Sequence, residues 1–251
     1  MCDNTVLEKV TIDGPGEIPN TDGISVSRTN GFKILESIIK TGGPCIKIGD
    51  GSKNLHIEGT SCGPGRGFSV GNLGELPKEQ PVDGIFVKGC TISNTEDGLR
   101  VRTWPGSPPG IATRLHFEDV IMENVRNPIF IDQEYCPESK CNPETNSSRV
   151  KISDVLFKGI RGTSSTKDVM TFLCSKAVPC EQVVLQDIDL KYEGSEGGPG
   201  AISGCKNVQP KVVGKVEPKP CTAPPDALKK AKKERGKQTK KGTYHFTTNN
   251  A

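Results

Sequence analysis

Two staggered series of short β-patterned triplets run along the chain. One reads Phe32-Lys33-Ile34, Leu55-His56-Ile57, Ile85-Phe86-Val87, Leu115-His116-Phe117, Val150-Lys151-Ile152 and Val183-Val184-Leu185, in steps of 23, 30, 30, 35 and 33 residues. The other precedes it: Ile24-Ser25-Val26, Ile46-Lys47-Ile48, Phe68-Ser69-Val70, Leu99-Arg100-Val101 and Ile129-Phe130-Ile131. Alternation with period two buries one strand face and leaves the other to solvent. A lone unit of two or three such strands cannot bury its apolar face, whereas stacked units share a continuous core. The shortest step matches one turn of a right-handed, single-stranded parallel β-helix, an all-β fold. Surplus residues in longer steps fall into loops, such as Gly71–Asp83 and Cys136–Ser148. A β-sandwich would need two-residue hairpins and longer strands, and a leucine-rich repeat its Leu/Asn consensus; neither pattern is present.

Composition agrees. Gly 29 and Pro 19 among 251 residues punctuate the backbone, and alanine is scarce, so long helices are excluded. No apolar run is long enough to cross a bilayer as a helix. Residues 229–241 hold eight Lys/Arg and one Glu. With +3 overall, this leaves the rest of the chain at −4. The division expected is a β-helix over 1–221 and a basic tail over 222–251. Such a tail is a solvated end or an anion-binding arm. Without interleaved aromatics or a zinc pattern it points to no nucleic-acid partner.

Ten cysteines without CxxC spacing read as disulfides. The close pairs are Cys45/Cys62, Cys136/Cys141, Cys174/Cys180 and Cys205/Cys221. Cys2 and Cys90 are left to pair with each other, unless Cys2 has lost its partner. Together with the sequon Asn146-Ser147-Ser148, this suits an oxidising, secretory history, although MCDNTVLEKV is no signal peptide.

Four strings then carry a family resemblance: Asn20-Thr21-Asp22-Gly23-Ile24, Thr41-Gly42-Gly43-Pro44-Cys45, Cys62-Gly63-Pro64-Gly65-Arg66-Gly67 and Gly98-Leu99-Arg100-Val101-Arg102-Thr103-Trp104. In order and spacing the chain resembles the polygalacturonases, pectin-hydrolysing glycosidases built on a β-helix. Trp104–Ala112 and Asp132-Gln133-Glu134-Tyr135-Cys136 look like the plant pollen exopolygalacturonase branch. The resemblance covers residues 4–221. It implies secretion to the cell wall, pectin or polygalacturonate as partner, and no metal or cofactor. It also implies that coils and a signal peptide precede this region, so that the chain would present an uncapped solenoid end prone to association.

The family inverts at the anomeric carbon. An acid protonates the glycosidic oxygen while a base activates water on the opposite face. By resemblance, Asp22 matches the first of three catalytic aspartates. The other two positions are Gly43 and Pro44, which hold no proton. The acid-tuning histidine position is Arg66, which stays charged at any relevant pH. The substrate-gripping pair is kept in charge as Arg100 and Arg102, with Asn20 and Tyr135 as further substrate contacts. Asp22, Arg66, Arg100 and Arg102 sum to +2, against −1 for the family pattern. The expectation is a cleft that binds polygalacturonate with hydrolysis impaired or lost. Two other readings stand beside it: an active exopolygalacturonase with a non-standard carboxylate set, and the non-functional product of a degraded gene. Asp50, just past the lost pair, falls in a turn on another side of the coil. His56 and His116 read as strand-face residues, and Trp104 as a sugar platform or a cover for the coil.

Overall fold

The computed structural model describes residues 3–16, 18, 21–136, 147–195 and 200–222. The basic-tail expectation, residue 222 apart, lies outside them, as do Cys2, Asn20, Cys141 and Asn146.

Each coil contributes three strands. The first holds β1 (Val6–Glu8), β2 (Thr11–Asp13) and β3 (Ile24–Val26); the second β4 (Lys33–Leu35), β5 (Ile38–Lys40) and β6 (Ile46–Ile48). The third holds β7 (Lys53–Glu58), β8 (Ser61–Cys62) and β9 (Phe68–Leu73); the fourth β10 (Val82–Lys88), β11 (Thr91–Ser93) and β12 (Asp97–Thr103). Next come β13 (Gly110–Glu118), β14 (Ile121–Val125) and β15 (Asn127–Asp132), then β16 (Val150–Lys158), β17 (Arg161–Ser164) and β18 (Asp168–Leu173). β19 (Glu181–Tyr192), β20 (Ile202–Lys206) and β21 (Lys211–Glu217) close the described chain.

All pairings are parallel, as a right-handed β-helix requires. A seven-stranded sheet runs β20-β18-β15-β12-β9-β6-β3. The long strand β19 pairs with both β16 and β17 and so joins the other two walls into one 14-stranded sheet.

Register makes columns. Ile34, Ile57, Val87, Phe117, Phe157 and Leu185 face one another on successive coils, and all are buried. Phe117 and Phe157 stack at 5.1 Å. Each fully buried side chain of this kind contributes about 1.5–3 kcal/mol, which favours this register over a one-residue slip that would turn the column outward. The adjacent outward column, Lys33, His56, Phe86, His116 and Leu156, is exposed or half-buried. His56 and His116 therefore sit on the outer sheet face. They flank Phe86 at 4.9 and 5.5 Å, and His116 Nε2 lies 3.2 Å from Asp154 Oδ1.

Coil corners are stitched by side-chain amides. Asn54 donates to Asn30 Oδ1 at 2.8 Å, and Asn124 to Asn94 Oδ1 at 2.9 Å. Disulfides close Cys45–Cys62, Cys174–Cys180 and Cys205–Cys221. Cys136 is also disulfide-bonded, its partner lying outside the described residues. Cys90 is free and buried between coils, so the Cys2–Cys90 pairing considered from sequence does not form.

Candidate functional site

The residues singled out by sequence gather along one edge and the outer face of the seven-stranded sheet. Asp22, Gly43, Pro44 and Arg66 immediately precede β3, β6 and β9. Backbone bonds stack them coil on coil: Gly43 N–H donates to Thr21 O at 2.9 Å, Arg66 N–H to Gly43 O at 2.8 Å, and Glu96 N–H to Gly65 O at 2.9 Å. Gly23 N–H donates to Pro44 O at 2.9 Å. The edge is thus a regular ladder whose chemistry depends only on which side chains it carries.

Asp22 carries the only carboxylate among the four matched edge positions. It accepts a hydrogen bond from Ser25 Oγ at 3.2 Å and lies 3.4 Å from Lys47 Nζ. At Gly43 the ladder leaves no room for a larger residue. A Cβ there would stand 2.7 Å from Thr21 O and 3.0 Å from Asp22 Oδ1. An aspartate at this position would require the backbone of the coil below to move. Pro44 brings no ionisable group.

Arg66, at the histidine position, pairs with Glu96 at 3.1 Å, both side chains partly open to solvent. Glu96 lies three coils from Asp22, about 14 Å at ~4.8 Å per coil. An inverting pair of carboxyls needs ~6.5–9.5 Å to bracket a water and a sugar ring. Asp50 sits at the other end of β6 from Pro44 and is engaged by Arg28 at 3.2 Å. Neither carboxylate therefore stands beside Asp22.

On β12 both arginines are drawn inward. Arg100 is only 7% exposed. Its Nη1 lies 2.6 Å from Asp97 Oδ2, while Nε and Nη2 donate to Ser69 Oγ at 3.0 and 2.9 Å. Asp97 Oδ1 also accepts from Asn127 Nδ2 at 3.0 Å. Arg102 lies over the Tyr135 ring, 4.1 Å from its centroid, and 5.8 Å from the centroid of Phe130. Its Nε is 3.7 Å from Asp132 Oδ2 and has no hydrogen-bond acceptor. Burial, reinforced by the charge of Arg100 and opposed by Asp132, brings its pKa down to about 10, so it remains a cation at neutral pH. Trp104 packs edge-on against Tyr135 at 5.2 Å, and its buried Nε1 also lacks an acceptor. Farther along the sheet, Glu134 pairs with Lys206.

These contacts correct the sequence-based charge of +2. Lys47 faces Asp22, and Glu96, Asp97 and Asp132 face Arg66, Arg100 and Arg102. The eight groups cancel. The arginines are neither free grips nor solvated strand ends, and Arg66 is the most open of the three. Sequence reasoning missed Lys47, Ser69, Glu96, Asp97 and Asp132. The strand pairings Lys47↔Ser69, Ser69↔Arg100 and Arg102↔Asp132 identify several of them once coil register is known. Asn20 lies outside the described residues. No group of three or more His, Cys, Asp or Glu suited to a metal occurs among the described residues.

Residues 1–217 match the family "Glycosyl hydrolases family 28". The chain is 50% identical over 221 residues to "Exopolygalacturonase clone GBGA483" of Arabidopsis thaliana, covering 88% of this chain and 49% of that protein. It is 48% identical over 223 residues to a polygalacturonase of Gossypium barbadense, covering 89% and 54%. The chain spans about half the length of these curated relatives. Among solved structures, endo-xylogalacturonan hydrolase from Aspergillus tubingensis superposes with a TM-score of 0.63 at 21% identity, over 75% of this chain and 54% of that one. A hyperthermoactive exopolygalacturonase from Thermotoga maritima gives 0.60 at 15%, over 84% and 47%. These two share the fold.

Proposed function

The chain belongs to glycosyl hydrolases family 28, and from that premise we propose that it is a polygalacturonase-like protein of the plant cell wall that binds polygalacturonate with hydrolysis abolished or severely impaired. The observation that carries this reading is the edge at Gly43 and Pro44: neither position offers a carboxyl beside Asp22, whose described side-chain partners are Ser25 and Lys47, and the stacked backbone crowds the space an aspartate would need. A positioned acid or base typically contributes ~10²–10⁴ in rate. Here the acid and one of the two water-positioning carboxylates are replaced. A sugar alkoxide leaves poorly unless protonated.

Binding is a separate matter. The cleft cations already hold carboxylates, so a galacturonate ring enters by exchange. Arg66–Glu96 is the most accessible of the arginine pairs, and a bidentate guanidinium accepts one carboxylate for another at little cost. The Arg102–Tyr135–Trp104 stack offers an aromatic wall farther along the same sheet, with Arg102 six residues beyond Glu96. Four disulfide-bonded half-pairs on the sheet walls (Cys45, Cys136, Cys174 and Cys205) fit a secreted protein.

The test pairs reducing-sugar release from polygalacturonate with retention on the same polymer. The expected result is retention that weakens with salt and with Arg66→Ala, without turnover. Turnover abolished by Asp22→Asn would instead support an active enzyme using an unusual carboxylate set. A protein that shows neither retention nor turnover defeats the proposal.

A further inference from the structure

At the opposite ends of β3, β6 and β9 from Asp22 lies a basin of about 440 Å³ that the cleft does not use. Asp22 and Arg28 are six residues apart across β3, about 20 Å at ~3.3 Å per residue. The basin is lined by Arg28, Lys53 and Lys78, by the carboxamides of Asn30 and Gln80, and by Asp3.

Its charge is uneven in a way the fold does not demand. Three carboxylates are near, and each is already engaged: Asp83, in register with Lys53, holds Arg114 Nε at 2.6 Å. Asp50 Oδ2 holds Arg28 Nε at 3.2 Å and the Gln80 N–H at 3.3 Å, and Asp3 Oδ1 accepts the Asn30 N–H at 3.0 Å. Lys53 and Lys78 have no carboxylate within 4.0 Å among the described residues. Arg28 and Lys78 occupy the left-handed region, with φ of 51° and 64°. Asn, Asp or Gly takes that conformation with less strain, so turn geometry does not account for basic residues there. The volume lies within the range of small-ligand pockets.

We propose that this basin is a second binding site, distinct from the Asp22–Arg66 edge, for the carboxylate of a uronic-acid sugar. Lys53 and Lys78 meet the carboxylate, and the Asn30 and Gln80 carboxamides serve the ring hydroxyls. The choice of a uronate rests on the polygalacturonate reading above; the anion preference does not. Since three coils contribute to the basin, a sugar held here bridges their turns at the other ends of the strands from the Asp22–Arg66 edge.

Amide chemical shifts of the ¹⁵N-labelled full chain, titrated with digalacturonate, test the assignment. The expected result is saturable shifts at the Gly51, Lys53 and Gln80 amides with Kd on the order of 1 mM. The Lys53→Gln/Lys78→Gln variant should bind at this site roughly tenfold more weakly or worse, with its remaining spectrum unchanged. Arg66→Ala should leave these shifts intact, which separates this site from the cleft: cleft binding can fail while the basin signal persists, and the reverse. Absence of shifts at Gly51 and Gln80, or unchanged basin affinity in the lysine variant, overturns the proposal. Equal shifts with galactose do the same, because the carboxylate would then be irrelevant. Inorganic phosphate producing the same shifts at lower concentration overturns the assignment to a uronate.

Discussion

Replacing Arg100 with methionine removes a cation whose hydrogen bonds are all spent inside the protein. Three of its contacts disappear, one to Asp97 and two to Ser69. The Asp97 carboxylate stays behind, buried and charged, with the Asn127 amide still donating to it. Breaking a buried pair on one side costs about 3–5 kcal/mol. The surviving amide and the hydroxyl of Ser69, which can find other partners, place this case near the lower bound, about 3 kcal/mol. For a chain of this size that is a fall in Tm of roughly 6–12 °C. The measurement is thermal unfolding by circular dichroism, run with polygalacturonate retention on the same samples. Adding Asp97→Asn should return part of the loss, because the orphaned charge is then gone. Such non-additivity is the signature of a coupled pair. If Arg100→Met abolished polymer retention while Tm stayed within about 1 °C of the parent, the guanidinium would be a disposable substrate grip and the reasoning would be refuted.

Gly43→Asp forces a side chain to within 2.7 Å of Thr21 O; the expected cost is about 1–3 kcal/mol in urea midpoints, with no turnover gained because Pro44 and Arg66 remain. A Gly43→Asp protein as stable as the parent would show that the coil has slack at this position. Burial raises the Cys90 thiol to about 11. Iodoacetamide at pH 8 should therefore leave the Cys90 peptide unmodified in the folded protein and label it in urea. The neutral thiol is the favoured folded form, so its contribution to stability is present below the ordinary pKa near ~9 and is lost as pH rises through about 11. Cys90→Ala should flatten that part of the pH profile.

Two sets of strands were visible in sequence because their alternation is strict. Phe32-Lys33-Ile34 and Val183-Val184-Leu185 announce β4 and β19, and Ile24-Ser25-Val26 announces β3. The third wall is harder to see. β8 is only Ser61–Cys62, and β17 is Arg161–Ser164, a largely polar stretch. Such segments become strands because their neighbours above and below supply the hydrogen-bond partners, which local periodicity does not record. The same reason explains the charge error at the site. Arg100 and Ser69 are 31 positions apart in sequence, yet adjacent across one coil step. Counting four matched positions gave +2; the register brings Glu96 and Asp97 from between the motifs, and Asp132 from the start of another, against the arginines. That Gly43 and Pro44 carry no ionisable group was legible in the sequence; that backbone from the coil below crowds Gly43 was not.

The Cys45–Cys62 bond ties the coil of Gly43 and Pro44 to the next one, right beside Pro44. What locks the architecture here is a covalent link and a backbone ladder, and neither consults the identity of the reactive side chains. If the proposed loss of the acid holds, folding would have raised no objection to it. A solenoid of this kind can keep its shape whatever becomes of its chemistry, and shared ancestry by itself testifies only to the shape.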